Sequence, residues 1–260
     1  MGVFGQVVTP ADGVAWVTGA SSGVGRALAL RLAADGWTVF ATARRTDRLE
    51  RISLEAADPG RIVPAPGDVT DAAQMRAICQ RITENHKLAL AVLKANMELQ
   101  IPARNFNAET VADVIDVNIL GVTNALDPVL RAMAEQQFGH VAIMSSAAGF
   151  RGLPGLGPYS ASKAALSVLA EALAMEMGDV GVRVSAINHG FIAPDKPVLG
   201  QSSGPFRMTA DQAAARIMSS LGRSGFEITF PWGMTRALRL VGLLPNRLYF
   251  RVIRRLMGNR

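Results

Sequence analysis

Short apolar runs alternate with amphipathic stretches along most of the chain. Residues 13–17 are apolar and bounded by turn residues, as expected of a buried strand. The same pattern returns at 38–42, 61–65, 90–93, 140–144 and 183–187, and a last strand is predicted at 226–230. Helical periodicity fills the intervals, over 26–33, 46–55, 72–84, from about 107 through 121, from 159 to about 178, and over 210–221. Asp71 and Thr209 stand where N-caps belong, ahead of 72–84 and 210–221. Strand and helix alternate with no repeat or linker between them. That pattern predicts an α/β fold, a single Rossmann-like doubly wound parallel sheet with helices on both faces.

Composition narrows this only a little. Of 260 residues, 49% are hydrophobic and 18% charged, so the chain is globular and long enough to bury a full core. The one cysteine, Cys79, rules out a disulfide within the chain, and no Cys/His cluster has zinc spacing. No signal peptide is expected, and no apolar run reaches the roughly 18 residues of a membrane span. The expected location is the cytoplasm.

Charge is informative by position. From Arg236 onward there are seven arginines (236, 239, 247, 251, 254, 255, 260) and no acid, while the other 20 bases meet 21 acids. A near-neutral body with a basic tail does not suit a nucleic-acid-binding surface. On a helical wheel, Arg247, Arg251, Arg254 and Arg255 fall within about a third of the circle, opposite Leu248, Tyr249, Val252, Ile253, Leu256 and Met257. One reading is an interfacial helix that touches acidic lipid at the membrane or carries a lipid-like substrate. The more ordinary one is a helix packed on the domain or on a neighbouring subunit, with a solvated arginine stripe.

Candidate chemistry gathers where the strands end. The first strand enters Thr18-Gly19-Ala20-Ser21-Ser22-Gly23-Val24-Gly25 and then a helix, the arrangement that turns backbone N–H groups and a helix N-terminus toward a pyrophosphate. The second ends at Ala43-Arg44-Arg45. An acid here would grip a ribose 2′-hydroxyl, whereas arginine welcomes a 2′-phosphate, so NADP is preferred over NAD. Asp68 is placed to contact an adenine. Tyr159 and Lys163 stand at i and i+4, one turn apart on one helix face. An ammonium beside a phenol stabilises its anion, so the Tyr159 pKa is expected to fall from about 10 toward neutrality.

Taken together and in order, these motifs resemble the short-chain dehydrogenase/reductase family. The likeness rests on the 18–25 glycine motif, Asp68, Asp116-Val117-Asn118, Ser145-Ser146 and Tyr159-x-x-x-Lys163, and covers roughly residues 13–192. It implies a catalytic tetrad of Asn118, Ser146, Tyr159 and Lys163, with Ser146 preferred to Ser145 because the family serine lies about thirteen residues before the tyrosine. It implies a cofactor site drawn from Gly19, Ser21, Ser22, Gly23, Val24, Gly25, Arg44, Arg45, Asp68, Val69, Asn96, Tyr159, Lys163, Gly190 and Ile192. Asn118 would hold a water relay to Lys163. The implied activity is hydride transfer between NADP(H) and a small carbonyl or alcohol substrate. Residues 1–230 would form the catalytic domain and 231–260 its helical extension, in a homo-oligomer built through the long helices.

Three departures stand out. Ala95-Asn96-Met97-Glu98 occupies the place of the family's Asn-Asn-Ala-Gly, His189 replaces a proline before Gly190, and Pro194 stands where a threonine is usual. They leave a second reading in view, a nucleotide-binding regulator or scaffold on the same fold. The Pro/Gly/Ser-rich stretch between 193 and 209 is expected to form a short substrate lid.

Overall fold

The computed structural model describes residues 6–58, 61–193 and 207–257. Its parallel strands are β1 (Val14–Thr18), β2 (Val39–Thr42), β3 (Ile62–Pro64), β4 (Leu88–Leu93), β5 (Gly139–Ser146), β6 (Val182–His189) and β7 (Glu227–Phe230), in sheet order β3-β2-β1-β4-β5-β6-β7. β1, β4 and β5 are buried along their whole length, as befits strands covered by helices on both faces. Side chains alternate between two cores. Ala15 and Val17 join Leu28, Leu32, Ala213 and Ile217 on one face. Val14 and Trp16 join Met75, Val129, Leu166 and Ala170 on the other.

The helices are α1 (Gly23–Ala34), α2 (Thr46–Glu55), α3 (Ala72–Asn85), α4 (Ala108–Ile115), α5 (Gly121–Gln136), α6 (Gly157–Gly178), α7 (Ala210–Leu221), α8 (Trp232–Gly242) and α9 (Asn246–Met257). Both expected caps are present: Asp71 accepts from the Ala73 and Gln74 amides, and Thr209 forms a reciprocal pair with Gln212. The order in which successive strands join the sheet reverses between β1 and β4, which run parallel. The crevice beyond the carboxyl ends of those strands is where open α/β sheets bind ligands.

One element departs from the periodicity. The helix expected to run unbroken from 107 is interrupted by a π-turn over Asp116–Leu120, between α4 and α5. The wider turn carries Asn118 to a fully buried position, while Leu120 is left 49% exposed. β4 also starts two residues earlier than predicted, and Ser145 and Ser146 lie within β5.

Candidate active site

The glycine turn is closed by backbone packing. Gly19 has φ +62°, and a Cβ there would lie 2.7 Å from the Lys94 carbonyl oxygen. A Cβ on Gly25 would lie 2.2 Å from the Gly19 carbonyl oxygen, so α1 approaches β1 as closely as it does only because residue 25 has no side chain. Thr18 ties the switch point together: its Oγ1 accepts from the Lys94 amide at 2.7 Å and donates to the Lys94 carbonyl at 3.0 Å. Val24 is buried in the core, Ser21 is nearly so, and Ser22 occupies the N-cap of α1. The result is a narrow cradle at a helix N-terminus, suited to an anionic diphosphate.

The arginine pair separates. Arg45 donates to Ser21 Oγ at 2.9 Å and Ser22 Oγ at 3.3 Å, bridging β2 to the glycine turn. Arg44 lines a cavity of about 360 Å³ with Pro66, Gly67, Asp68 and Gln74. Asp68 is oriented there by the Thr70 amide and hydroxyl, and the Val69 carbonyl accepts from Asn124. Asn96 is exposed at the crevice. A larger hollow, about 530 Å³, lies between α1 and α7, where Gly23 alone of the expected site residues borders it.

Tyr159 and Lys163 open the buried stripe of α6, which continues through Leu166, Ala170 and Ala174 at helical spacing. Lys163 is fully buried, with Nζ 5.6 Å from the centre of the Tyr159 ring and donating to the Ala95 and Met144 carbonyls at 3.2 and 3.3 Å. The two serines have different surroundings. Ser145 Oγ donates to the Lys163 carbonyl at 2.7 Å and meets Ser167, which fixes β5 against α6. Ser146 Oγ donates to the His189 carbonyl at 3.2 Å and accepts from the Ala148 amide. Asn118 clamps the chain after β4: Oδ1 accepts from the Met97 amide at 2.6 Å, and Nδ2 donates to the Met97 carbonyl and to Ser162 Oγ. Its side chain is thus bonded to backbone and serine and makes no direct bond to Lys163.

The charges differ from expectation in one respect. On the protein's own groups the Tyr159 pKa is raised, first by burial and then by the Glu98 carboxylate, with Ser146 pulling the other way. The neighbouring ammonium does not offset those two. Lys163 is itself held down to about 7, by burial and then by Lys94, against an upward pull from Glu98. Burial raises the Glu98 carboxyl despite the residue's solvent contact, and Lys163 and Arg207 oppose this. His189 is lowered to about 4, chiefly by burial, and its Nδ1 lies 2.8 Å from the Gly190 carbonyl oxygen.

Lys94 was not singled out in the sequence, yet its Nζ lies 3.4 Å from the Gly19 carbonyl oxygen, between the cradle and Lys163. A cation directly after the strand that pairs with β1 was the available signal. Gly190 donates its amide to Phe230, and Ile192 forms a bridge with Met208. Pro194, Arg260 and nearly all of the expected lid lie outside the described residues.

Known proteins fit this geometry. The sequence profile of the family described as short chain dehydrogenase matches residues 13–197. An uncharacterized oxidoreductase of Myxococcus xanthus is 39% identical over 244 residues, 93% of this chain and 96% of that protein. A short-chain dehydrogenase/reductase from Burkholderia phymatum, solved in complex with NAD, superposes with a TM-score of 0.78 at 24% identity, covering 92% of this chain and 94% of that one. A short-chain dehydrogenase from Burkholderia cenocepacia, solved with NADP, has a TM-score of 0.78 at 23% identity, covering 99% and 100%.

Proposed function

Because the chain belongs to the short-chain dehydrogenase family of oxidoreductases, we propose that it interconverts a carbonyl and an alcohol with NADP(H), using Tyr159 as general acid–base. The observation carrying this reading is Tyr159 at the head of the buried α6 stripe, one turn from Lys163 and beside Ser146 at the end of β5. The glycine cradle suits the cofactor, since a Cβ at residue 19 or 25 would collide with the Lys94 or Gly19 carbonyl and force the turn open. Residues 18–25, Arg44, Arg45, Asp68, Val69, Asn96, Lys163, Gly190 and Ile192 would hold the dinucleotide. When bound, it supplies or receives the hydride.

The chain's part is proton handling and position. Tyr159, kept protonated by burial and Glu98, gives its proton to the substrate oxygen in reduction and takes it back in oxidation. Ser146 would turn its hydroxyl from the His189 carbonyl to the oxygen where charge develops. Asn118 holds the Met97 segment that walls the crevice. His189, uncharged at neutral pH, takes no proton in this scheme.

Preference for NADP rests on Ala43, which brings no acid to the end of β2, and on Arg44 and Arg45 beside it. We read 1–230 as the catalytic domain with 231–260 as its extension. We also propose a homo-oligomer through α6, where Val168 and Met175, one heptad apart, are each 65% exposed. The test is reduction of a carbonyl panel followed by loss of NADPH absorbance at about 340 nm. Tyr159→Phe should retain NADPH binding by calorimetry and lose about 10²–10⁴-fold in rate. Binding without turnover across the panel would instead support a nucleotide-binding regulator. Failure to bind either nicotinamide cofactor would end the proposal.

A further inference from the structure

α9 buries only part of its apolar arc. Tyr249 and Ile253 are buried, the Tyr249 hydroxyl donates to the Gly152 carbonyl at 2.8 Å, and the Arg151 guanidinium lies 4.1 Å over the Tyr249 ring. Outward stand Arg247, Arg251, Arg254 and Arg255, together with Leu248, Phe250 and Leu256 at 45%, 55% and 71% exposure. α8 also turns large apolar groups to solvent. Trp232, Leu240 and Leu243 are 67%, 61% and 78% exposed, and with Arg236 they recur at intervals of four, four and three, forming one strip. Arg236 lies 4.9 Å over the Trp232 ring. Scattered exposed apolar residues are ordinary, but a strip of this kind on a helix marks a surface that something covers.

Charge identifies what covers it. Residues 232–257 contain no acid. None of Arg236, Arg247, Arg251, Arg254 and Arg255 enters an ion pair among the described residues, where Arg239 pairs with Glu227. A second copy docked about a two-fold axis would press this patch against itself, arginine facing arginine. A bilayer bearing anionic lipid offers negative charge to the arginines, an apolar boundary to the leucines and the headgroup level that tryptophan favours. Among the described residues no helix is long and apolar enough to cross a membrane, so the contact is peripheral.

We propose that α8 and α9 seat this protein on an anionic lipid surface, with Trp232, Leu240 and Leu243 in the headgroup boundary and the five arginines against acidic headgroups. This holds whichever substrate is turned over.

Tryptophan emission gives a direct test, because Trp16 and Trp37 are buried and solvent reaches Trp232 alone of the three. Vesicles of phosphatidylcholine with phosphatidylserine should co-float with the full chain, shift its emission to the blue and, with brominated acyl chains, quench it. Phosphatidylcholine alone should do none of this, and about 0.5 M salt should release the protein. Arg254→Ser with Arg255→Ser should weaken partitioning by about tenfold or more. Leu240→Ser with Leu243→Ser should abolish insertion, its fold checked by circular dichroism and by retained NADPH oxidation. No binding to the acidic vesicles, binding unchanged in both double variants, or a dimer that these substitutions dissolve would each overturn the proposal.

Discussion

Glu98 raises the Tyr159 pKa and also pulls Lys163 upward, which makes substitutions at Glu98 and Lys163 informative. Removing the Glu98 charge in Glu98→Gln takes away a group that disfavours the phenolate. The rising limb of the pH–rate profile for alcohol oxidation, which in the proposed mechanism reports the deprotonated tyrosine, should therefore move to lower pH. An unmoved limb would mean that Glu98 does not act on Tyr159. Lys163 has a folded pKa of about 7, below the ordinary lysine value of about 10.4. The fold therefore binds fewer protons than the unfolded chain between these values, and Lys163 costs most stability at and below pH 7. Lys163→Met should abolish turnover, and its melting temperature relative to wild type should be most favourable near pH 6 and decline toward pH 10. The sequence made the Tyr/Lys pairing legible because i,i+4 spacing is geometric. It did not reveal the direction of the Tyr159 shift, because burial and a carboxylate from the segment after β4 depend on tertiary packing.

Among the elements, the glycine turn and the π-turn differ in how readable they were. Glycines between a strand and a helix identify a close backbone approach without further information. Gly25→Ala should thus open the turn, at a cost of about 1–3 kcal/mol, and reduce NADPH affinity in a calorimetric titration. Unchanged affinity would show that the cradle tolerates the added methyl. The π-turn left no such mark. Val114 through Gly121 is apolar enough to pass for continuous helix, and the inserted residue is specified by Asn118 finding the Met97 backbone and Ser162. Those partners lie 21 and 44 residues away in sequence, beyond the reach of local periodicity.

At the scale of the molecule, the doubly wound parallel sheet followed from the strand–helix alternation, whereas the seat of the tail did not. The helical wheel of α9 placed the buried Tyr249 and Ile253 opposite the arginines, but Leu248 and Leu256 of the same arc stay exposed, and it carried no sign that Arg151 would be the anchor. Arg151 donates to the Gly242 and Leu244 carbonyls, at 2.5 and 2.7 Å, bonds to Asn246 and stacks on Tyr249. Arg151→Met should cost about 2 kcal/mol in urea unfolding, a discounted figure because the guanidinium keeps some solvent contact. Trypsin should then cut after Arg247 and Arg251 faster than in wild type, as read by mass spectrometry. Equal cleavage rates would show that the tail holds without this anchor.

That clamp also bears on the order of events at the ribosome. The glycine cradle and β4 can assemble while the second half of the chain is still being made, whereas the Asn118 turn waits for Ser162. The bracket between Ser146 and Tyr159 is different, because its fastening points at residues 242–249 lie 91 to 97 residues further along the chain. A nascent chain would close its glycine turn well before the segment between Ser146 and Tyr159 is braced.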